Sequence, residues 1–437
     1  MTAAASRAPL RTLPGALLGA MLFLLSADLL FVPVAGHKIK FGYFLVLAAW
    51  LTAPREMLDA AREGLRRLPR YVFLPLLPLA VSVATSADVK DSLAWTLWLG
   101  FDAFTAATVY AFLKAHRFSG NEVRTCIAAS LGLIAFFCVI QFVAIYGFGK
   151  VVFQPQSHFD VYRINGLAGW PHFLNIFSFL LLPIVLVQRA PSLAVRALLA
   201  VLVFMLVQST AKTGWVLFFV MGLLLLVLDR RVFLRSYFAF LLPVTVVAML
   251  IPTPSFRHDT PAMSGTQKIE KFSADLNVAD RTTSGADRVL ISEMGLQVFL
   301  RHPWFGVGPR AYDAYVYSRF DQELPGVNKI GVDRAVIAKN ENIWVEFLAE
   351  TGVLFTLGFA FVIVRALTVP RWKFDNRLEL GAWIALAMYF AVSGQFSQTG
   401  LLTLVYAVFG VYFYSRELSA SAGAPSPTAT VLPAFGG

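Results

Sequence analysis

Long apolar runs recur along the chain, separated by short polar connections. A helix needs about 20 mostly apolar residues to cross a hydrocarbon core of ~30 Å, and many of these runs approach that length. Open sheets cannot span lipid, and the alternating pattern of barrel strands is absent from the sequence. The pattern therefore predicts an all-α polytopic membrane protein with about 12 transmembrane helices. The predicted spans lie near residues 14–35, 38–53, 71–85, 92–113, 125–147, 171–188, 194–210, 212–228, 236–251, 343–364, 380–396 and 400–415.

One polar connection, residues 252–342 between predicted helices 9 and 10, is much longer than an ordinary loop. Met294 and Val298 recur at helical spacing within it, up to a stop at Arg301-His302-Pro303. The following glycines permit a tight turn or a close backbone approach, and residues 312–320 predict a second short helix. We expect these amphipathic helices to lie across the bundle and cover a cavity. The predicted division is residues 1–251 for helices 1–9, 252–342 for the large loop, 343–416 for helices 10–12 and 417–437 for a disordered tail.

Charge adds an orientation to this picture. The chain is 57% hydrophobic and 14% charged, against about 25% charged in soluble proteins, which supports the membrane class. The large loop is neutral, so the formal charge of +11 comes from the remaining connections. With the N-terminus inside, the inside connections carry most of the Lys and Arg, including Arg55, Arg62, Arg66, Lys114, Arg230, Arg231 and Arg377. This positive-inside pattern predicts cytoplasmic termini and attraction to anionic lipid, and gives no reason to expect nucleic-acid binding.

The cysteines and histidines predict no metal site and no cofactor. Cys126 and Cys138 fall in one predicted span, about 18 Å apart along a helix, so they cannot form a disulfide with each other. No cluster of Cys and His has the spacing of metal ligands.

Acidic residues begin the tenth predicted span, in "AKNENIWVEFLAETGVLF" from Ala338. Asn340 as N-cap and Glu341 in the first turn would be ordinary helix-start chemistry. That interpretation does not explain Glu346 and Glu350, which share a helical face with Asn342. Such a stripe would be costly in lipid, so we expect it to face protein or water.

These motifs resemble the O-antigen ligase and polymerase superfamily of bacterial envelope glycosyltransferases. "LRHPWFGVGPRAYDAY" is similar to the "hPlfGvG" element of its large periplasmic loop, and "ENIWVEFLAETGVLF" to its "HNxxLxxLxExG" helix start. "STAKTGWVLFFVMGLLLL" looks like its "SRgaWl" element, and "YRINGLAGWPHFLN" like its "r.xGtfxnpN" region. Glu341 stands where the family commonly has His, and Lys212 where it commonly has Arg. The first departure counts against a standard lipid A–core ligase and suits a polymerase-like branch, with an inactive relative as an alternative.

The resemblance implies an inverting transfer, without metal or nucleotide sugar, of a glycan carried on undecaprenyl diphosphate at the periplasmic side of the bacterial inner membrane. The acceptor is a glycan or a lipid-linked molecule. Such a transfer needs a base near the acceptor hydroxyl and cations for the diphosphate. Glu341 is the candidate base, with Asn342 orienting it or the acceptor. Both could instead be helix-capping residues.

The candidate substrate-binding cations are Lys212, Arg288 and Arg163. Lys212 begins a predicted helix whose N-terminus also favours anions, although a lysine that snorkels to the interface would look the same. Arg288 corresponds in position to an arginine of the family's loop, and its alternative is a solvated surface charge. Arg163 is the third candidate. His302 could contact substrate, but a histidine before proline more commonly ends a helix.

The sequence leaves other functions open. A ligase that attaches glycan to lipid A–core or to protein differs from a polymerase only in its acceptor. A flippase or other polysaccharide transporter is an alternative function of a different class. Transporters typically have paired halves with matching broken helices, and the sequence shows no such pairing. A scaffold in a secretion complex would leave the stacked acids unexplained.

Overall fold

A computed structural model describes residues 12–34, 37–67, 69–153, 156–158, 161–188, 191–253, 264, 266–267, 270, 284–323, 343–368, 374, 376–392 and 399–423. Most of these residues are helical, which supports the predicted all-α class. The helices are α1 (Leu13–Ser26), α2 (Phe41–Ala49), α3 (Pro54–Arg67), α4 (Leu76–Ala84), α5 (Val89–Ala115), α6 (Gly120–Phe148), α7 (Pro171–Leu186), α8 (Leu193–Gln208), α9 (Lys212–Leu228), α10 (Arg230–Leu250), α11 (Ser284–Arg301), α12 (Tyr312–Glu323), α13 (Ile343–Leu367), α14 (Arg377–Val392) and α15 (Thr399–Gly423).

A helix occurs at each of the twelve predicted span positions, but the helices differ greatly in length. Among the described residues, α5, α6, α10 and α13 are long and apolar enough to cross a membrane, and a bent pair covering α3 and α4 would make a fifth. Others, such as α1, α7 and α8, are apolar but shorter than a span of about 20 residues. A multi-pass membrane protein is thus plausible, while the predicted number of 12 spans is not confirmed.

The first predicted span, 14–35, is wrong in its second half. Helix α1 ends at Ser26, and the chain then forms an antiparallel hairpin of β1 (Phe31–Val34) and β2 (His37–Lys40). Pro33 lacks the N–H that a continuing helix would need. The Lys40 ammonium pairs with the Asp28 carboxylate and donates to the Leu25 carbonyl at 3.2 Å, which fixes the hairpin to the end of α1.

Two helix pairs have the most extensive contacts in the described part of the bundle: α5 with α15, and α7 with α14. The ends of α5 and α6 are set by local chemistry. Asp88 caps α5, and Ser119 with Glu122 forms a capping box at the start of α6. Helix α6 ends at Gly149, whose φ of +61° suits glycine.

The bundle has two ends that differ in chemistry. We call the end bearing residues 86–88, 171, 212 and 251 the loop end, because the 252–342 connection starts there, and the opposite end the basic end. At the basic end the Lys114 ammonium pairs with Glu63 at 2.8 Å and Glu417 at 2.6 Å. The Asn376 side chain donates to the Ser415 carbonyl and the Ser419 hydroxyl.

These contacts correct the predicted disordered tail of residues 417–437. Helix α15 continues to Gly423, because Glu417 and Ser419 are held by Lys114 and Asn376. Composition alone does not reveal such partners. Residues 424–437 lie outside the described part of the chain.

Candidate functional site

The turn at residues 303–310 docks against a break in α13. The break lies at Gly352, with φ of +73° and ψ of 178°, and divides α13 into segments 343–351 and 353–367. Three backbone hydrogen bonds of 2.8–3.0 Å join the turn to the break: Val307 N to Ala349 O, Gly308 N to Glu350 O and Val353 N to Pro303 O. We call this contact the glycine joint.

Glycine is required on both sides of this joint. A Cβ on Gly306 would overlap the Glu350 carbonyl group, and a Cβ on Gly352 would overlap the Trp304 carbonyl. A Cβ on Gly308 would overlap the Ser86 side chain. The predicted tight turn or close backbone approach is therefore both: the backbones touch because no side chain separates them.

The connection between α4 and α5 closes the joint from the other side. The Ala87 N–H donates to the Val307 carbonyl at 2.8 Å, and the Ser92 hydroxyl to the Pro309 carbonyl at 2.6 Å. The Ser82 hydroxyl donates to the Glu350 carbonyl at 3.2 Å. The turn is thus fixed between α13 and the loop end of α4 and α5.

The two deeper acids of the α13 stripe are buried in protein, as the sequence predicts. Glu346 is 2% exposed and Glu350 is 6% exposed. The Glu350 carboxylate accepts a hydrogen bond of 2.7 Å from the Arg310 backbone N–H. This carboxylate is therefore held by the loop backbone. Asn342, the first member of the stripe, lies outside the described residues.

The segment 343–351 folds back along the rest of α13. The Phe347 ring lies 5.5 Å from the Phe355 ring and 5.0 Å from the Phe359 ring. In one continuous helix, residues 347 and 359 would be about 18 Å apart. The predicted span 343–364 therefore falls on two helical pieces that meet at a sharp kink at Gly352.

This kink brings the start of α13 to the end of α14. The Trp344 indole N–H donates to the Phe390 carbonyl at 3.1 Å, and Ile343 is buried. Candidate residue Glu341 lies outside the described residues, two positions before Ile343.

The same end of α14 lies level with the start of α7. A Cβ on Gly381 would be 2.5 Å from the Ile184 Cα, and Arg377 donates to the Val187 carbonyl at 3.4 Å, so α7 and α14 are antiparallel neighbours. Phe390 lies nine residues after Gly381 on α14, and Asn175 lies nine residues before Ile184 on α7, which is about 13 Å along each helix. Phe390 and Asn175 are therefore at about the same level along the two helices.

Asn175 in turn contacts the first turn of α9, where Lys212 lies. A Cβ on Gly214 would overlap the Asn175 side-chain oxygen, so this glycine allows the two helices to touch. The Asn175 side-chain nitrogen donates to the Ser209 hydroxyl and the Pro171 carbonyl, each at 2.8 Å. The Lys212 backbone begins α9 as predicted, while its side chain lies outside the described part.

Arg163 is bound to the turn just before Lys212. Its guanidinium donates to the Thr210 carbonyl at 2.7 Å, the Thr210 hydroxyl at 3.0 Å and the Ser209 carbonyl at 3.2 Å. Thr210 has a φ of +52°, which is uncommon for a β-branched residue. Arg163 therefore supports a strained turn beside Lys212.

The other two candidates lie on the docked loop. Arg288 belongs to α11, about 9 Å along the helix from Met294, and its side chain is outside the described part. The His302 imidazole is within hydrogen-bond distance, 3.0 Å, of the Tyr315 hydroxyl, and α11 ends beside it. His302 thus has a structural contact at a helix end and is not brought to the start of α9.

Sequence reasoning did not single out two buried polar side chains. Tyr312 is 1% exposed, and its hydroxyl has no hydrogen-bond partner among the described residues. Burial, followed by the charges of Asp313 and Glu350, raises the pKa of Tyr312, so the phenol remains protonated. Asp102, in the middle of α5, is 1% exposed and accepts a hydrogen bond of 2.5 Å from Thr403. A lone acid within an apolar run was the available signal for Asp102.

The described geometry thus packs α9 and the start of α13 on the same helix, α14, and the start of α9 also on α7. A helix N-terminus such as that of α9 suits an anion. Within the described part of the chain, no group of three His, Cys, Asp or Glu side chains is arranged to hold a metal ion.

Residues 197–363 match the O-antigen ligase family. The matched region runs from α8 through most of α13 and contains Lys212, Arg288, His302, Glu341 and the glycine joint. No curated protein matches the chain. The match agrees with the motif resemblance and supports the O-antigen ligase and polymerase superfamily.

Proposed function

We propose that this chain is an inner-membrane glycosyltransferase that transfers or polymerises an undecaprenyl-diphosphate-linked glycan on the periplasmic side. The observation that supports the proposal is that α9, which begins at Lys212, and the start of α13, which follows Glu341 in the chain, both pack on α14. The family match at residues 197–363 supports the reaction class.

In the proposed reaction, the hydroxyl of an acceptor sugar attacks the anomeric carbon of the donor glycan. The bond between this carbon and the diphosphate oxygen breaks, and configuration inverts. Glu341 takes the hydroxyl proton, and undecaprenyl diphosphate leaves with the bonding electrons. Because the leaving group is anionic, Lys212 and the backbone N–H groups that begin α9 stabilise it without a metal.

The remaining candidates have supporting parts in this scheme. Arg163 holds the turn before Lys212 and so positions it. Asn342 orients the acceptor or the Glu341 carboxylate, and Arg288 adds a second positive charge for the diphosphate. The buried Glu350 anchors the glycine joint rather than reacting.

The test compares Glu341→Gln, Glu341→His and Lys212→Ala with the unaltered protein in cells that lack their own copy. Removal of the base by Glu341→Gln is expected to lower glycan transfer about 10²-fold or more. Glu341→His should retain activity, because the family commonly has His at this position. Surface glycan and lipid-linked precursor are measured together, with protein abundance as the control.

Each outcome separates the alternatives. Loss of long glycans with precursor accumulating at the periplasmic face supports transfer. Accumulation at the cytoplasmic face supports a flippase or transporter. Wild-type glycans in both Glu341→Gln and Lys212→Ala would overturn the site assignment.

A further inference from the structure

Helix α3 presents four different surfaces around its circumference, and the first packs on the bundle. Met57 is fully buried, Ala60 is 5% exposed, and a Cβ on Gly64 would lie 3.0 Å from the Tyr110 ring of α5. At 100° per residue, these three positions fall on one face. Helix α3 is therefore attached sideways to α5.

The second surface is apolar but exposed. Leu58 and Leu65 are 43% and 60% exposed. They are seven residues apart and share a face about 115° around the helix from the packed one. No protein element covers this face in the described part of the chain.

The third surface is a stripe of arginines next to the leucines. Arg55, Arg62 and Arg66 fall within about 40° of one another, and all three are exposed. The Arg62 guanidinium lies 3.9 Å from the Asp59 carboxylate, a separation at which an exposed pair contributes little. The arginines thus present their charge outward, directly beside the exposed leucines.

The fourth surface is acidic and is anchored to protein. Glu63 pairs with Lys114 of α5, which also holds Glu417 of α15. Helix α3 therefore cannot rotate freely, and the order around it is fixed as packed, apolar, basic and acidic.

The neighbours of α3 indicate what covers the leucines. Leu47 and Leu51 before the helix are 52% and 83% exposed, and Leu74 and Leu77 after it are 56% and 75% exposed. In a membrane protein such an apolar belt faces lipid. The axis of α3, over Pro54–Arg66, lies at 90° to the segment Arg70–Ala84, which carries Leu74 and Leu77 of that belt.

We propose that α3 is an interfacial helix that binds anionic phospholipid headgroups. Leu58 and Leu65 enter the acyl-chain boundary, and Arg55, Arg62 and Arg66 lie at the level of the phosphates. Leucines beside a basic stripe are the arrangement that favours an interface with anionic lipid. This inference does not depend on the reaction that the protein catalyses.

The first experiment measures lipid preference with the full chain. Purified protein is titrated with phosphatidylglycerol and with phosphatidylcholine, and bound lipid is counted by native mass spectrometry. We expect R55Q/R62Q/R66Q to lose the preference for phosphatidylglycerol by roughly tenfold. The matched control K90Q/K150Q/R301Q removes the same charge elsewhere and should keep the preference. An equal loss in both triple variants, or none in the first, would overturn the proposal.

The second experiment measures depth in the bilayer. A fluorophore is placed on Leu58→Cys or on Asp59→Cys, adjacent positions about 100° apart around the helix. Cys126 and Cys138 are fully buried, so labelling is selective. Spin-labelled lipid should quench the label at position 58 strongly and that at position 59 weakly. Equal quenching at the two positions would contradict the proposed orientation.

If R55Q/R62Q/R66Q unfolds, Arg62→Gln alone replaces it in the measurement of lipid preference.

Discussion

At the scale of single residues, the structure restricts the residue type more strictly at Gly352 than at the neighbouring acids. Its backbone lies in a region that is essentially open only to glycine, and the Trp304 carbonyl occupies the place of a Cβ. Gly306 and Gly308 meet the same restriction from the loop side. The position of the segment 343–351 depends on these contacts.

We therefore predict that Gly352→Ala destabilises the protein by about 1–3 kcal/mol from backbone strain alone, with the overlap against Trp304 adding to this. Thermal unfolding can be followed with a thiol-reactive dye, since Cys126 and Cys138 become accessible only on unfolding. The control is Gly100→Ala in α5, where a new Cβ meets nothing within 4 Å. That change should leave the free energy of unfolding unchanged or raise it by at most ~1 kcal/mol, so the melting temperature should not fall. Equal melting of the two variants would contradict the importance of the joint.

The sequence predicted part of this residue-level picture. Gly306 and Gly308 were recognisable as turn formers, and the cost of acids in lipid indicated that Glu346 and Glu350 face protein or water; the structure buries both in protein. The partners were not predictable, because Ser86 and Gly352 lie far from the turn in sequence. Glu341 and Asn342 lie outside the described residues, so their roles stay predictions.

At the scale of elements, the break in α13 is the largest difference from the sequence-based expectation. A hydropathy profile adds up the hydrophobicity of successive residues and does not detect a change in the direction of the chain. Residues 343–364 were therefore predicted as one span. The aromatic contacts of Phe347 with Phe355 and Phe359 require two pieces. By contrast, α11 ends at Arg301 before Pro303, and α12 begins at Tyr312, as predicted from local signals.

A prediction at this scale concerns the contact between α7 and α9. Gly214→Ala should push the first turn of α9 away from Asn175 and so misplace Lys212. Displacement of a substrate-positioning group by ~1 Å can cost about 10²-fold in rate, so glycan transfer should fall at least tenfold at normal protein abundance. The control is Gly132→Ala, where a Cβ would have ordinary 3.9 Å contacts with Leu198. Full activity of Gly214→Ala would show that the position of the α9 start is unimportant.

At the scale of the whole molecule, composition and hydropathy were sufficient for the class and the order of the helices. They were not sufficient for the number of spans, because α1, α2 and α4 are short and α13 is broken. The match at residues 197–363 supports the family, and the packing of α7, α9, α13 and α14 required coordinates.

The predicted orientation can be tested with single cysteines on the two ends of the bundle. Lys90→Cys, at the loop end, should react with a membrane-impermeant maleimide on cells whose inner membrane is intact. Asp59→Cys, at the basic end, should react only after permeabilisation. Both positions are exposed, and the native cysteines are buried. The reverse pattern would invert the topology and exclude periplasmic catalysis.

The glycine joint also has a consequence for recognising relatives. Its glycines are imposed by backbone contact and take no part in the proposed chemistry, so a chain that had lost its base would still need them to fold. Similarity based on "PWFGVG" and "ETG" therefore groups proteins that share the glycine joint, whether or not they share the chemistry. Sorting catalysts from inactive homologues in such a group requires the identity of the residues equivalent to Lys212 and Glu341.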